Sequence, residues 1–308
     1  MSAPVPPVLF DQALVRRRFA RAAGTPAAFN RAAVLQHEVA RRMLERLEYV
    51  KLDPRVVIDA GCGTGHALPG LAGRFPGARL LAVDAAPAML AQARQAAGAR
   101  AVPAWMRRWL PAGRVQPVAA DFGRLPLADA SAGCIWSNLA LHWAPDPPAT
   151  LAEWHRVLAT EGLVLFTMLG PDTLKELRAA WGTAGGPHVH QFIDMHDVGD
   201  MLVHAGFADP VMDMETITLT YRDLDGLFAD LRATGSTNAH AARSRGLAGK
   251  DAWRAMRAAY EALRRDGTLP ATFEIVYGHA WKPQPRTSRD GHAVVRVEDI
   301  GRGGKKFP

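Results

Sequence analysis

A glycine-rich turn that follows a short apolar strand constrains this chain more than any other stretch. Three bulky apolar residues, Val56–Ile58, precede Asp59, and three glycines then stand at alternate positions, Gly61, Gly63 and Gly65. This pattern predicts a buried strand that turns sharply toward a helix, because glycine permits positive φ and close approach of the backbone to a ligand. A helix beginning there would point its unpaired N–H groups at that ligand. We therefore predict a ligand-binding turn at residues 59–65.

Acids also end the next two predicted strands. Leu80–Asp84 predicts a strand whose terminal acid is placed to accept both hydroxyls of a ribose. Val118–Phe122 predicts a third strand, which ends in Asp121 beside the ring of Phe122. That pair suits an adenine, whose amino group needs an acceptor and whose face needs a stacking surface. On the turn alone, a NAD-dependent enzyme is an alternative, although the dinucleotide fingerprint is G-x-G-x-x-G rather than G-x-G-x-G. A second alternative is an ordinary α/β turn whose acids are solvated and bind no ligand.

Glycine turn, ribose acid and adenine acid, in this order, resemble the S-adenosylmethionine site of class I methyltransferases. The resemblance implies S-adenosylmethionine as the cofactor, bound by Asp59, Gly61, Cys62, Gly63, Gly65, Asp84, Ala85, Met89, Asp121, Phe122 and Asn138. We predict no metal site, because no His-x-Asp or Cys cluster with metal-ligand spacing stands out in the sequence.

Alternation of strands and helices between residues 56 and 168 predicts an α/β fold with a doubly wound, mostly parallel sheet. By resemblance the sheet has seven strands, and we predict the later ones at Cys134–Leu139, Gly162–Met168, Thr216–Tyr221 and Thr272–Trp281.

The domain organisation follows from these elements. Residues 1–50 should form a helical N-terminal cover, and 51–282 the methyltransferase domain, with a lid-like helical insertion at about 222–268 before the last strand. Residues 283–308 should be a loose polar and basic tail. Within 98–117, Ala104–Leu110 is either an inserted helix packed on the domain or a contact surface for substrate or partner.

Charge distribution limits the classes of partner. The net charge is +7. Residues 1–48 carry eight basic and four acidic side chains and residues 282–308 carry seven and three, whereas 49–281 are nearly neutral. The basic flanks indicate either an acidic macromolecular partner or solvated helix faces. Nucleic acid is not expected, because no aromatic residues interleave with the basic ones there.

Other compositional features concern the compartment. No apolar run reaches the 18 residues of a membrane span, and the N-terminus lacks signal-peptide features. Two cysteines, Cys62 and Cys134, agree with a reducing compartment and should not form a disulfide. We expect a cytoplasmic monomer that does not bind a membrane.

Three stretches narrow the resemblance: Leu35-Gln36, Ser137–Trp143 and Gly170–Arg178. They resemble the malonyl-acyl carrier protein O-methyltransferases of biotin synthesis, as do Phe10-Asp11, Asp194–Gly199 and Leu269–Phe273. The family implies malonyl-acyl carrier protein as the substrate and partner. One departure is Phe29-Asn30, where many family members have Tyr-Asp.

A second family shares much of this pattern. The complex I assembly factor that hydroxylates a protein arginine is similar in its Leu-His-Trp run, its Asp-Thr-Leu and Glu-Leu-Arg elements and its Gly-Phe turn, here Gly206-Phe207. Gly170-Pro171 and Leu35-Gln36 favour the biotin family. A methyltransferase acting on a quinone precursor or another small acid, and a binding protein that keeps the cleft without catalysis, are further alternatives.

The substrate that the family implies sets the catalytic requirements. A malonyl carboxylate is ionised at neutral pH, since free carboxyl groups titrate near ~4, so no general base is needed. In a dry pocket it does need a cation or several donors. We predict Arg178 as its ligand, with Arg16 or Arg17 second. His142 or Asn138 should complete the shell, and Trp143 should line the chamber. A histidine satisfied by backbone and a surface arginine are the alternatives for His142 and Arg178.

Overall fold

The computed structural model describes residues 10–96, 115–182 and 187–284, except positions 245 and 247. Ala104–Leu110, for which the sequence leaves a helix or a contact surface open, lies outside the described residues. The predicted tail lies outside them from residue 285 onward.

Within the described residues, seven strands form one sheet. They are β1 (Val56–Ala60), β2 (Arg79–Asp84), β3 (Val115–Ala119), β4 (Ala132–Ser137), β5 (Leu158–Leu169), β6 (Ala208–Tyr221) and β7 (Leu269–Trp281). Their order across the sheet is β3-β2-β1-β4-β5-β7-β6. Strands β1 to β5 pair in parallel, whereas β7 is antiparallel to both β5 and β6. This arrangement confirms the predicted class I methyltransferase fold.

Ten α-helices lie in the described part of the chain. They are α1 (Gln12–Ala23), α2 (Pro26–Ala32), α3 (Val34–Glu48), α4 (Leu68–Arg74), α5 (Pro87–Ala96), α6 (Pro147–Val157), α7 (Lys175–Trp181), α8 (Met195–His204), α9 (Leu224–Ala233) and α10 (Lys250–Glu261). None of these helices has the length and apolar character that crossing a bilayer requires.

Two hydrophobic clusters cover the two faces of the sheet. Val57 and Trp136 enter one cluster, together with apolar residues of α3, α4, α7 and α10. Ile58 and Ile135 enter the other, together with apolar residues of α6 and α8. Neighbouring residues of one strand point to opposite faces, so these short strands are apolar on both sides. The sheet is therefore doubly wound, as predicted.

The N-terminal helices pack against the segment that follows α9. The Asp11 carboxylate caps α1 by accepting the Leu14 N–H at 3.0 Å, and the Asp11 N–H donates to the Ala239 carbonyl at 2.9 Å. Farther along α1, the Arg18 guanidinium donates to the Thr237 carbonyl at 2.7 Å. Helix α1 and the 234–240 segment thus enclose space above the sheet from two distant parts of the sequence.

Some boundaries differ from the predictions. Strand β6 begins at Ala208 rather than Thr216, and Asp121 and Phe122 follow β3 instead of ending it. Cys62 and Cys134 are buried and unpaired, as predicted.

Candidate functional site

A cavity of about 680 Å³ lies at the carboxyl ends of the parallel strands, under the N-terminal helices. The residues that line it from strand ends include Asp59, Asp84, Asp121 and Asn138. The opposite wall comes from α1, α2, α3 and α9 and from residues 188–192. Ligands of open α/β sheets bind at this edge, where the chain leaves the strands in diverging directions.

The glycine turn forms the floor of this cavity. Gly61, Gly63 and Gly65 all have positive φ, at 80°, 52° and 80°. A Cβ on Gly61 would lie 2.5 Å from the Ala140 Cβ, whereas a Cβ on Gly63 would meet nothing within 4 Å. Gly63 therefore leaves its backbone open to a ligand, and Gly61 allows close packing of the turn on residue 140.

Gly65 is not among the cavity-lining residues, contrary to its predicted contact with the cofactor. A Cβ there would lie 2.7 Å from the Ala93 Cα of α5 and 2.8 Å from the Leu68 Cδ1. The structure assigns this glycine to helix packing, which sequence spacing does not separate from ligand contact.

Asp59 is a buried carboxylate facing the cavity. It is 3% exposed, and its Oδ2 has no hydrogen-bond partner among the described residues. Burial, together with the nearby Asp84 charge, raises its pKa to about 7. An orphaned acceptor at a cavity wall favours a ligand that brings a donor or a positive charge.

Asp84 ends β2 and holds the turn in place. Its Oδ2 accepts the Gly63 N–H at 3.0 Å, and its Oδ1 accepts the Ala86 N–H at 2.8 Å. Burial raises the pKa of Asp84, and the two backbone donors lower it in part. Each carboxylate oxygen has two lone pairs, so both retain acceptor capacity toward a ribose.

The residues that the sequence predicts to receive adenine lie together along the cavity. Asp121, Phe122, Ala85 and Met89 all line the cavity, as does Cys62 of the turn. The Asp121 Oδ1 accepts the Gly123 N–H at 2.8 Å, and the Phe122 carbonyl accepts the Trp154 indole N–H at 2.8 Å. These bonds fix a loop that presents an acceptor and a ring side by side.

Asn138 lines the cavity, but its side-chain amide is already engaged. The Nδ2 donates to the Gln36 carbonyl of α3 at 2.9 Å, and the Oδ1 accepts the Thr167 hydroxyl at 2.9 Å. Thr167 Oγ1 also accepts the Leu139 N–H at 2.9 Å. Asn138 therefore joins the end of β4 to α3 and β5, and its predicted ligand contact stays a prediction.

His142 and Trp143 lie in a short 3₁₀ turn after β4 and line the far half of the cavity. The His142 ring is 5% exposed, and its Nδ1 accepts the Leu169 N–H at 3.4 Å. Burial, together with the nearby His190, lowers its pKa to about 3. A neutral imidazole that accepts at Nδ1 carries its proton on Nε2. His142 is therefore a neutral hydrogen-bond donor.

Aromatic rings surround these two residues. Trp143 lies 5.4 Å from Phe10, 5.3 Å from Phe19 and 5.5 Å from His190, measured between ring centroids. The His190 Nε2 accepts the Ala239 N–H at 3.2 Å, and burial lowers the pKa of His190 to about 4. This half of the cavity is apolar, with neutral rather than cationic histidines.

Arg178 lies outside the cavity lining, which is the main correction to the predicted site. Its guanidinium donates to the carbonyls of Pro171 at 2.9 Å, Thr173 at 3.2 Å and His190 at 3.2 Å. These bonds use three of its five N–H groups, and the buried Nε has no hydrogen-bond partner among the described residues. The arrangement is that of a positioning residue that ties the 171–173 turn to His190. Arg16 and Arg17, the second choice, are exposed and do line the cavity.

Two features of the site escape sequence reasoning. The Thr64 hydroxyl donates to the Asn30 Oδ1 at 2.9 Å, so α2 is bonded directly to the glycine turn. His37 and His66 stack with ring centroids 3.7 Å apart, and both line the cavity. In the sequence, Phe29-Asn30 stands where many family members have Tyr-Asp. That difference does not indicate a hydrogen bond to Thr64.

Taken together, the lining fits an adenosyl sulfonium. Gly63 gives open backbone, Asp84 and Asp121 give acceptors at two strand ends, and the buried Asp59 gives a carboxyl oxygen without a hydrogen-bond partner among the described residues. The adjoining half, with Trp143, would receive the second reactant.

Comparisons with known proteins agree with this geometry. A family model described as a methyltransferase domain matches residues 58–166. Among curated proteins, the malonyl-acyl carrier protein O-methyltransferase of Gallionella capsiferriformans is 50% identical over 290 residues, covering 94% of this chain and 97% of the relative. The enzyme of the same name from Nitrosospira multiformis is 52% identical over 284 residues, covering 90% and 91%.

Solved structures share the fold at low identity. A putative methyltransferase from Bacillus halodurans has a TM-score of 0.51 at 18% identity, covering 78% of this chain and 97% of that one. The YcgJ protein of Bacillus subtilis has a TM-score of 0.52 at 16% identity, covering 81% and 100%.

Proposed function

This chain belongs to the malonyl-acyl carrier protein O-methyltransferase family, and we propose that it methylates the free carboxylate of a malonyl group carried on acyl carrier protein. S-Adenosylmethionine is the cofactor, and the methyl ester serves an early step of biotin (pimeloyl) synthesis. The observation that carries the proposal is the two-part cavity. An acid-lined half suited to an adenosyl group opens into an apolar half with a neutral histidine donor.

The cofactor half would hold its ligand through residues at three strand ends. Asp84 would accept the ribose hydroxyls, and Asp121 with Phe122 would receive the adenine. Gly61 and Gly63 would let the ligand approach the backbone, and Asp59 would face its positive charge. When bound, S-adenosylmethionine supplies an electrophilic methyl group, which a carboxylate oxygen takes as the carbon–sulfur bond breaks.

The acceptor half needs to orient the carboxylate, not deprotonate it. A malonyl carboxyl group is ionised at neutral pH. Because the Nδ1 of His142 accepts a backbone N–H, its Nε2 can donate to a carboxylate oxygen but cannot take a proton. A neutral donor aligns the nucleophile without neutralising it, whereas a buried arginine pair would lower its nucleophilicity.

Exclusion of water is the second contribution of this half. The rings of Phe19 and Trp143 line the place where the acceptor would lie, and Phe10 packs against Trp143. Such a wall strips water from the carboxylate and restricts its orientation. Well-oriented reactants can supply roughly 7–11 kcal/mol of the barrier. Arg178 would act indirectly, by holding the His190 carbonyl and the 171–173 turn.

The test is transfer of label from S-adenosylmethionine labelled in its methyl group. We expect malonyl-acyl carrier protein to acquire one base-labile methyl ester, and acetyl-acyl carrier protein, which lacks the carboxylate, to acquire none. His142→Phe should lower kcat at least tenfold with the cofactor affinity retained. Label on a protein side chain, or equal labelling of both thioesters, would contradict the proposal.

A further inference from the structure

Helix α1 carries four arginines and no acid. Arg16, Arg17, Arg18 and Arg21 lie within Gln12–Ala23, and the nearest acid, Asp11, is used as the helix cap. Arg16, Arg17 and Arg21 are exposed. No hydrogen bond or ion pair joins these three side chains to another described residue. Since Arg16 and Arg17 also line the cavity, this positive charge stands at its opening.

Packing brings two more arginines to the same place. A Cβ on Gly235 would lie 3.4 Å from the Arg18 backbone, so α1 lies against the chain just after α9. Arg232, near the end of α9, is exposed and lines the cavity. Arg243 donates to the Asp11 carboxylate at 3.2 Å. We call this set, Arg16, Arg17, Arg18, Arg21, Arg232 and Arg243, the arginine rim.

The rim is electrostatically strained in the free protein. Burial lowers the pKa of Arg18, and the charges of Arg243, Arg17 and Arg21 lower it further, while Asp11 alone raises it. Asp230 also lines the cavity and bonds to Tyr221, on the inner side of α9. Like charges held together in this way favour an anionic partner.

Helix α3 gives an internal comparison. Its three arginines are all paired: Arg41 with Glu38 and Glu45, Arg42 with Glu38 and Glu215, and Arg46 with Asp213. The same N-terminal cover thus neutralises one helix and leaves another charged. A merely solvated basic face does not explain why the unpaired arginines gather at the cavity opening.

We propose that the arginine rim is the docking surface for an acidic protein, whose thioester arm enters the cavity between α1 and α9. This inference rests on the proposed function, in which that protein is the acyl carrier protein. Its acidic surface would meet Arg17 and Arg21 on one side of the opening and Arg232 on the other.

The experiment compares a carrier-bound substrate with a small one. Methyl-ester formation is measured with malonyl-acyl carrier protein and with malonyl-pantetheine, for the unmodified protein and for Arg21→Glu. Arg21 does not line the cavity, so its replacement leaves the reaction chamber intact. We expect the KM for malonyl-acyl carrier protein to rise about tenfold at 50 mM salt and about twofold at 300 mM, because salt screens exposed charges. The KM for malonyl-pantetheine should stay within about twofold.

Arg79→Glu is the matched control, since it makes the same charge change at an exposed arginine at the start of β2, outside the cavity lining. It should leave the carrier KM within about twofold. Thermal melting of Arg21→Glu, at or above the unmodified value, verifies folding. Equal effects on both substrates, or an unchanged carrier KM at 50 mM salt, would overturn the docking surface. If the unmodified protein methylates neither substrate, the proposed function itself fails.

Discussion

Asp59 shows how a single residue links burial to ligand chemistry. It ends an apolar strand, so the fold buries it, and its Oδ2 receives no donor from the described protein. A carboxyl group with a pKa near 7 is partly protonated in the free protein at neutral pH. A positively charged ligand favours the ionised form, so binding should release a proton.

This linkage predicts pH-dependent cofactor affinity. With a free-state pKa of about 7 and a much lower one in the complex, the dissociation constant for S-adenosylmethionine should fall about tenfold between pH 6 and pH 8. Calorimetry in buffers of different ionisation enthalpy measures both the affinity and the released proton. Asp59→Asn should bind more weakly, without that pH dependence. The same slope in the variant would show that another group titrates.

At the scale of elements, the sequence predicts the strands that hold the cofactor site better than the elements around them. Val56–Ile58 and Leu80–Val83 are apolar on both faces, because helices cover both sides of a parallel sheet. Residues 208–215 of β6 contain Pro210 and three acids. An edge strand tolerates such residues, which would be excluded from a central strand, so no hydrophobic pattern marks them. Helix α2 is only seven residues long, too short for periodicity to indicate it.

Arg178 is a second case in which the sequence does not predict the structural role of a residue. Its place in the sequence puts it after β5, near the ligand edge, and this is all that the sequence predicts. Where a long side chain ends depends on the partners that folding supplies. Here three carbonyls from two loops accept three of its five N–H groups, and the buried Nε has no partner among the described residues.

The positioning role of Arg178 predicts a loss of stability as well as activity. Arg178→Ala should lower the free energy of unfolding by about 1–3 kcal/mol, because three carbonyls lose their donor. Urea titration measures this loss, and Lys175→Ala, an exposed change on α7, should cost under about 0.5 kcal/mol. The kcat of Arg178→Ala should fall, with little change in its KM for malonyl-pantetheine. If Arg178→Ala kept its stability but raised this KM a hundredfold, Arg178 would instead bind the substrate carboxylate directly.

For the molecule as a whole, the cavity separates parts of the chain that the ligand would join. One wall is formed by the ends of β1, β2 and β4, and the other by α1, α2, α3, α9 and the segment after α9. Direct bonds between the walls include Thr64 to Asn30 and Asn138 to the Gln36 carbonyl. A ligand that contacts both walls adds further bonds between them. Because both walls exist only in the folded state, such a ligand stabilises that state relative to the unfolded chain.

Cofactor binding should therefore raise the melting temperature in a specific way. A ligand present at a hundred times its dissociation constant stabilises the folded state by about 2.7 kcal/mol. With an unfolding entropy of about 2.1 cal/mol/K per residue over 308 residues, that corresponds to an increase of about 4 °C. We expect this shift with S-adenosylmethionine and none with NAD, because the acids at successive strand ends and the G-x-G-x-G turn fit an adenosyl sulfonium. Differential scanning calorimetry of protein freed of bound ligand measures both. A shift with NAD and none with S-adenosylmethionine would contradict the assigned cofactor. The proposed methylation of a carboxylate would then fail as well, because it requires S-adenosylmethionine as the methyl donor.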